Sequence, residues 1–198
     1  MSTWPRRPLL LSIVTLAAIV AVAPGCGGGN DNGNGGGGNV PKTLTVGSDI
    51  PYTPFEFGKP PYQGFDVDVV NEIAKGLGTK ATFKKTPFDT IFRDLAQGKF
   101  DMVASASTIT PERAKEVDFS DSYFPADQSL MVKKGSDVKT VDDVAGKTVG
   151  AQLGTTGAAY AKDKTKAKSV RTYDLIDDAF NALEAGQVVA VINDCPVS

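Results

Sequence analysis

A chain of 198 residues, 41% of them hydrophobic, has material for one domain or two small lobes with buried cores. Its 21 Lys and Arg against 23 Asp and Glu give a formal charge of −2, so no positive excess points to a nucleic-acid partner. It contains no histidine, which excludes the Ser–His pair that ordinarily activates a serine nucleophile.

The opening MSTWPRRPLLLSIVTLAAIVAVAPGC carries Arg6 and Arg7, an uncharged run from Leu9 to Ala23, and small residues ahead of Cys26. This is the layout of an export signal over residues 1–25, and its apolar run is shorter than the roughly 20 residues of a membrane span. Its removal leaves 19 Lys and Arg against 23 Asp and Glu, formally −4. Residues 26–40 include GGGNDNGNGGGG, a Gly/Asn tract with nothing to bury, which predicts a flexible tether. A cysteine at the signal's end followed by such a tether resembles the lipobox of bacterial lipoproteins, which implies lipidation of Cys26. Ala23 and Pro24 depart from the usual lipobox. The alternative for the two cysteines is a disulfide in an oxidising compartment; a lipidated Cys26 would leave Cys195 without a partner.

From Pro41 short apolar runs alternate with amphipathic segments. TLTVGSD (43–49) reads as a strand, and DVDVVNEIAKGL (66–77) sets Val67, Val70, Ile73, Ala74 and Leu77 at helical spacing. A strand follows over 81–86, a helix over 88–98 ended by Gly98, and a strand over 100–107. A second set has strands at 127–134 and 147–153, a helix at 156–163, a strand at 169–174, a helix at 175–186 and a strand at 188–194. Strands alternating with helices predict α/β lobes with mostly parallel sheets. The charge runs KDKTKAK and DDAFNALE read as solvated faces.

Ligands in such folds sit at the carboxyl ends of strands, where helix N-termini present free amides. The strand at 100–107 runs into SASTITPER, a hydroxyl cluster closed by Arg113, and the strand at 147–153 ends at Gly154-Thr155-Thr156. Both clusters suit an anion, which favours grip over catalysis. A Ser–Lys arrangement stays open, although no lysine lies in the stretch and Lys115 reads equally as a solvated helix charge. Taken singly, Thr155 and Thr156 read as helix caps, and Thr108 and Thr110 as caps before Pro111.

The order of the pieces says more. GFDVDVVNEIAKGL (64–77) resembles the signature of the family 3 extracellular solute-binding proteins, the amino-acid-binding components of ABC importers. Around it GSDIPYTPFEF, FDMVASASTITPER, VDFSDSYF, GKTVGAQLGTTGAAYA and VVAVIND stand in that family's order and spacing, from Thr43 to about Asp194. The resemblance implies a two-lobed α/β periplasmic-binding-protein fold of type II, with lobe 1 over 41–126 and lobe 2 over 127–198. It implies that Arg113 takes a ligand carboxylate, aided by the Thr108 hydroxyl, the Ala106 amide and the helix start at Thr156. Asp194 then matches the acid that holds the ligand's ammonium, with Ser105 and Thr108 sharing it. Tyr52 and Phe88 match aromatic walls around the side chain, and Asp49 the acid at the side-chain end. Read without the family, Tyr52 and Phe88 could be core aromatics, Asp49 a turn residue and Arg113 a surface charge.

The resemblance further implies a monomer that captures a free amino acid, basic or glutamine, outside the membrane for an ABC permease. It implies no cofactor, no metal and no catalytic residue. Rival readings are a cyclohexadienyl-dehydratase-like lyase on the same fold, which would need a general acid or base in the cleft, and the ligand-sensing domain of a receptor. Two positions depart from the family: Val189 stands where aspartate is usual, and Ala106 where serine or glycine is frequent. The chain also stops four residues after Asp194, whereas the family goes on to finish lobe 2 and return to lobe 1, so lobe 2 and the return segment are expected to be incomplete.

Overall fold

The structure, a computed structural model, describes residues 40–198. The expected export signal over 1–25, Cys26 and all but the last residue of the expected tether over 26–40 lie outside the described residues.

Strand β1 (Thr43–Ser48) leads through a long turn to helix α1 (Phe65–Gly76), strand β2 (Lys80–Lys85), helix α2 (Ile91–Ala96) and strand β3 (Met102–Val103). These strands form a parallel sheet in the order β2-β1-β3, with Val46 opposite Phe83 on one side and Met102 on the other. Helix α1 covers it with Val67, Val70 and Ala74, which fall on one helical stripe. Ile73 and Leu77, expected on the same face, are exposed. They lie on the flank of that stripe, beyond the reach of a sheet only three strands wide.

The second sheet contains β4 (Gln128–Met131), β5 (Thr148–Gln152), β6 (Ser169–Tyr173) and β7 (Val191–Asp194), in the order β4-β7-β5-β6. Strand β5 is parallel to β6 and β7, whereas β4 runs antiparallel to β7, with Leu130 opposite Ile192. Helices α3 (Thr156–Lys164) and α4 (Ile176–Glu184) pack on this sheet. One cluster unites Val144, Val149, Ala161, Ala190 and Ile192; another joins Ile176, Ala179, Leu183 and Val191 to Tyr52 and Phe55 from the first half of the chain. Helix α3 begins so close to β7 that a Cβ on Gly157 would stand 2.7 Å from the Ile192 carbonyl oxygen.

The α/β alternation expected from the sequence is present, with three local corrections. The strand expected over 100–107 is confined to Met102–Val103: the Ala104 amide still bonds the Gly47 carbonyl, but the chain then turns, with Ala106 at φ 40°. The helix expected over 88–98 opens as a 3-10 turn at Phe88–Thr90 before α2. The strand expected over 188–194 begins only at Val191. A 3-10 turn at Val141–Val144, closed by a capping box between Thr140 and Asp143, had no place in that reading.

Candidate functional site

The carboxyl ends of β1, β3, β5 and β7 converge on a cleft of about 300 Å³. It is lined by Asp49, Tyr52, Phe88, Ser105, Ala106 and Thr108, together with Arg113, Gln152, Thr155, Thr156 and Asp194. All nine residues singled out in the sequence are among them, so the order of motifs along the chain translates into one place in space.

Arg113 sits in the 3-10 turn Arg113–Lys115, where Thr110 accepts from its backbone amide. Its guanidinium lies over two rings, 4.7 Å from the Phe92 centroid and 5.1 Å from that of Phe88. Phe88 and Phe92 can flank it because they stand four residues apart along one helical face. The same group donates to the Thr108 carbonyl at 2.8 Å and to the Gly154 carbonyl at 3.1 Å, joining the first sheet's side to the second's. Burial lowers its pKa, partly countered by Asp194. An arginine guanidinium so lowered nevertheless remains charged.

Asp194, at the end of β7, accepts from the Tyr52 hydroxyl at 2.7 Å and from the Gln128 amide, which also reaches the Thr156 hydroxyl at 3.3 Å. Burial, and then the charge of Asp194, raise the Tyr52 pKa and keep that hydroxyl protonated. Asp49, following β1, is 2% exposed and accepts from the Gln152 amide across the cleft. Its second oxygen, Oδ1, has no hydrogen-bond partner among the described residues. Burial is the main cause that pushes its pKa up to about 6; the Gln152 bond and Lys85 work in the opposite direction.

Two groups assigned to ligand contact, the Ser105 hydroxyl and the Ala106 amide, are engaged within the protein. The Ser105 hydroxyl accepts from the Asp49 amide at 2.9 Å and donates to Glu56 at 2.7 Å. The Ala106 amide donates to Asp66 at 2.7 Å. In this arrangement the two residues brace the cleft that they also line. Thr155 is a helix cap, accepting from the Ala158 amide at 3.2 Å, and a lining residue as well. Gln152 escaped the sequence reading, although a glutamine on a strand buried along most of its length was a signal that its amide meets a partner. The buried acids Glu56 and Asp66 beneath the cleft escaped it too.

The cleft lies between two α/β halves, is walled by aromatics and holds two carboxylates and one guanidinium. The chain belongs to the bacterial extracellular solute-binding proteins, family 3, whose profile matches residues 44–194. It is 35% identical over 160 residues to the lysine/arginine/ornithine-binding periplasmic protein of Escherichia coli (strain K12), covering 78% of this chain and 62% of that protein. Among solved structures it is similar to an ancestral arginine-binding protein bound to arginine, with 42% identity and a TM-score of 0.75 over 79% of this chain and 72% of that one. An ancestral arginine-binding protein bound to glutamine gives 43% identity and a TM-score of 0.76 over 80% and 72%. These relatives are named for binding and not for catalysis. The chain spans under two thirds of the length of the curated relative.

Gly154 lies where the two halves touch: at φ 77° an added Cβ would stand 2.8 Å from the Asp89 Cα. Gly186, at φ 72°, has nothing within 4 Å. Gly186→Ala should therefore cost only the left-handed backbone penalty, about 1–2 kcal/mol. Gly154→Ala should cost a further ~1–3 kcal/mol for the overlap with Asp89. Urea denaturation of both variants checks this, and equal costs would mean that the contact between the halves is not tight.

Proposed function

We propose that this protein captures a polar amino acid with a cationic side chain outside the cytoplasmic membrane and delivers it to an ABC permease. The observation that carries the reading is the charge inventory of the cleft: Asp49, Asp194 and Arg113. A basic amino acid presents two cations and one anion, the complement of that set. Arg113 receives the carboxylate, helped by the Thr108 hydroxyl and the amides that open α3 at Thr156. Asp194 receives the ammonium. Asp49 faces the side-chain head, while Tyr52 and Phe88 cover the aliphatic stem. Charge-assisted hydrogen bonds contribute roughly 1.5–3 kcal/mol each, so four or five supply the ~8 kcal/mol of micromolar binding after ordering costs. The names of the relatives support the class: one is a lysine/arginine/ornithine-binding protein and one is bound to arginine.

Glutamine is the second reading, favoured by the relative bound to it and by the Gln152 amide already paired with Asp49. The lobes are taken as 41–126 and 127–198, closing over the ligand, in a monomer held at the membrane through lipidated Cys26 and the tether that follows it.

Arg113→Ala should weaken arginine binding at least tenfold, since removing one partner of a desolvated charge pair costs roughly 2–5 kcal/mol. Titration calorimetry reads this, and unchanged affinity would remove the anion clamp. Asp49 has a raised pKa, so it is protonated below about 6 and ionised above it. A cationic head favours the ionised form. Arginine affinity should fall as pH drops below about 6, while glutamine affinity changes less. Asp49→Asn should erase that difference and narrow the preference for arginine and lysine over glutamine; equal shifts for lysine and glutamine would show that Asp49 does not read the side chain. Fractionation of cells expressing Cys26→Ser should find the protein released from the membrane with arginine binding intact, because a lipidated cysteine on a flexible tether separates anchoring from recognition. Membrane retention would point to an uncleaved apolar helix.

A further inference from the structure

Glu56 and Asp66 are 0% and 1% exposed, and the proposed capture of a ligand uses neither. They come from different elements, Glu56 from the turn after β1 and Asp66 from the first turn of α1, and lie within hydrogen-bonding reach of each other. Glu56 Oε1 accepts from the Ser105 hydroxyl at 2.7 Å. Asp66 Oδ2 accepts from the Ala106 amide at 2.7 Å and the Tyr123 hydroxyl at 3.0 Å. The remaining oxygens, Glu56 Oε2 and Asp66 Oδ1, are buried without a partner among the described residues.

We propose that Glu56 and Asp66 share one proton, forming an acid–carboxylate pair that positions the binding loop Ser105–Thr108 and ties it to Tyr123 in the segment joining the two sheets. The proposal rests on the reading of the cleft as an amino-acid site. A single hydrogen shared between the two carboxyls satisfies both orphaned acceptors. Asp66 takes two donors on one oxygen and is the ionised member. Glu56 takes one hydroxyl and carries the proton. The titratable groups facing the pair are Asp49 and Tyr52 from the end of β1 and its turn, and Tyr123 from the connecting segment. All three release a proton on titration, and among the described residues no lysine or arginine pairs with either carboxyl. Burial, and then the Asp66 charge, push the Glu56 pKa up to about 10. The pair holds Ser105 and Ala106 directly, and through the same loop Thr108, whose carbonyl accepts from Arg113.

Because the folded protein keeps a proton that the unfolded chain releases near pH 4.3, this group's contribution to stability declines as pH rises toward about 10. Glu56→Gln preserves the acceptor toward Ser105 and places an amide N–H toward Asp66, so it mimics the protonated acid at every pH. The experiment compares wild type, Glu56→Gln and Glu56→Ala in the full chain. Between pH 6 and 9 the Tm of the wild type should fall by roughly 8 °C relative to that of Glu56→Gln. Carboxyl 13C NMR of the ligand-free protein should find Glu56 protonated at pH 7. At that pH Glu56→Gln should bind arginine within about twofold of wild type, and Glu56→Ala should bind at least tenfold more weakly. Parallel Tm–pH curves, an ionised Glu56, or equal losses of affinity in the two variants would overturn the proposal. The first two readouts need no ligand, so a wild type that ignores both arginine and glutamine yet shows them rejects the amino-acid reading while supporting the shared proton.

Discussion

The cleft depends on one positive charge held against two rings. Arg113 lies over Phe88 and Phe92 and donates to backbone carbonyls on both sides of the cleft, Thr108 and Gly154. A guanidinium suits this position because it is planar, weakly hydrated and permanently charged; a lysine ammonium could neither stack on the rings nor reach two carbonyls in a fixed fork. Its contacts with peptide oxygens and ring faces orient it without neutralising it. The charge therefore stays available to an anion entering the cleft.

The carboxylates follow an opposite logic. Asp194 and Asp49 receive hydrogen bonds from neutral donors, Tyr52 and Gln128 for the first and Gln152 for the second. Neutral donors fix the geometry of a carboxylate without cancelling its attraction for a cation. These donors reach from one half of the protein to the other or from one strand end to the next, so the contacts that join the halves also aim the charges of the cleft. Fixed groups of this kind lower the ordering cost that a small solute must overcome.

Much of this was legible in the sequence because the informative residues sit at strand ends and helix starts, where chain order and position in space coincide. Arg113, Asp194, Asp49 and both aromatic walls belong to that group. Gln152 does not: its role arises only because β5 lies opposite the end of β1, a pairing between halves that no local pattern encodes. Glu56 and Asp66 were hidden for a related reason, since an acid four residues beyond an aromatic and an acid in a helix's first turn both read as solvated. The shortened β3 has the same origin. Its alternating sequence continues as a strand, but the chain leaves the sheet where the Ser105 hydroxyl accepts from the Asp49 amide and the Ala106 amide donates to Asp66.

The approach of α3 to β7 at Gly157 restricts how such a site can change over generations. No side chain fits between that glycine and the Ile192 carbonyl, so the helix start that faces the cleft cannot retreat or advance without displacing the strand that carries Asp194. The end of the cleft proposed to meet the part common to all amino acids is thus locked by backbone. The other end is bounded by the side chains of Asp49 and Gln152, which substitution can exchange without moving the main chain. On the proposed reading, single substitutions there can alter ligand preference while the backbone holds the common grip in place.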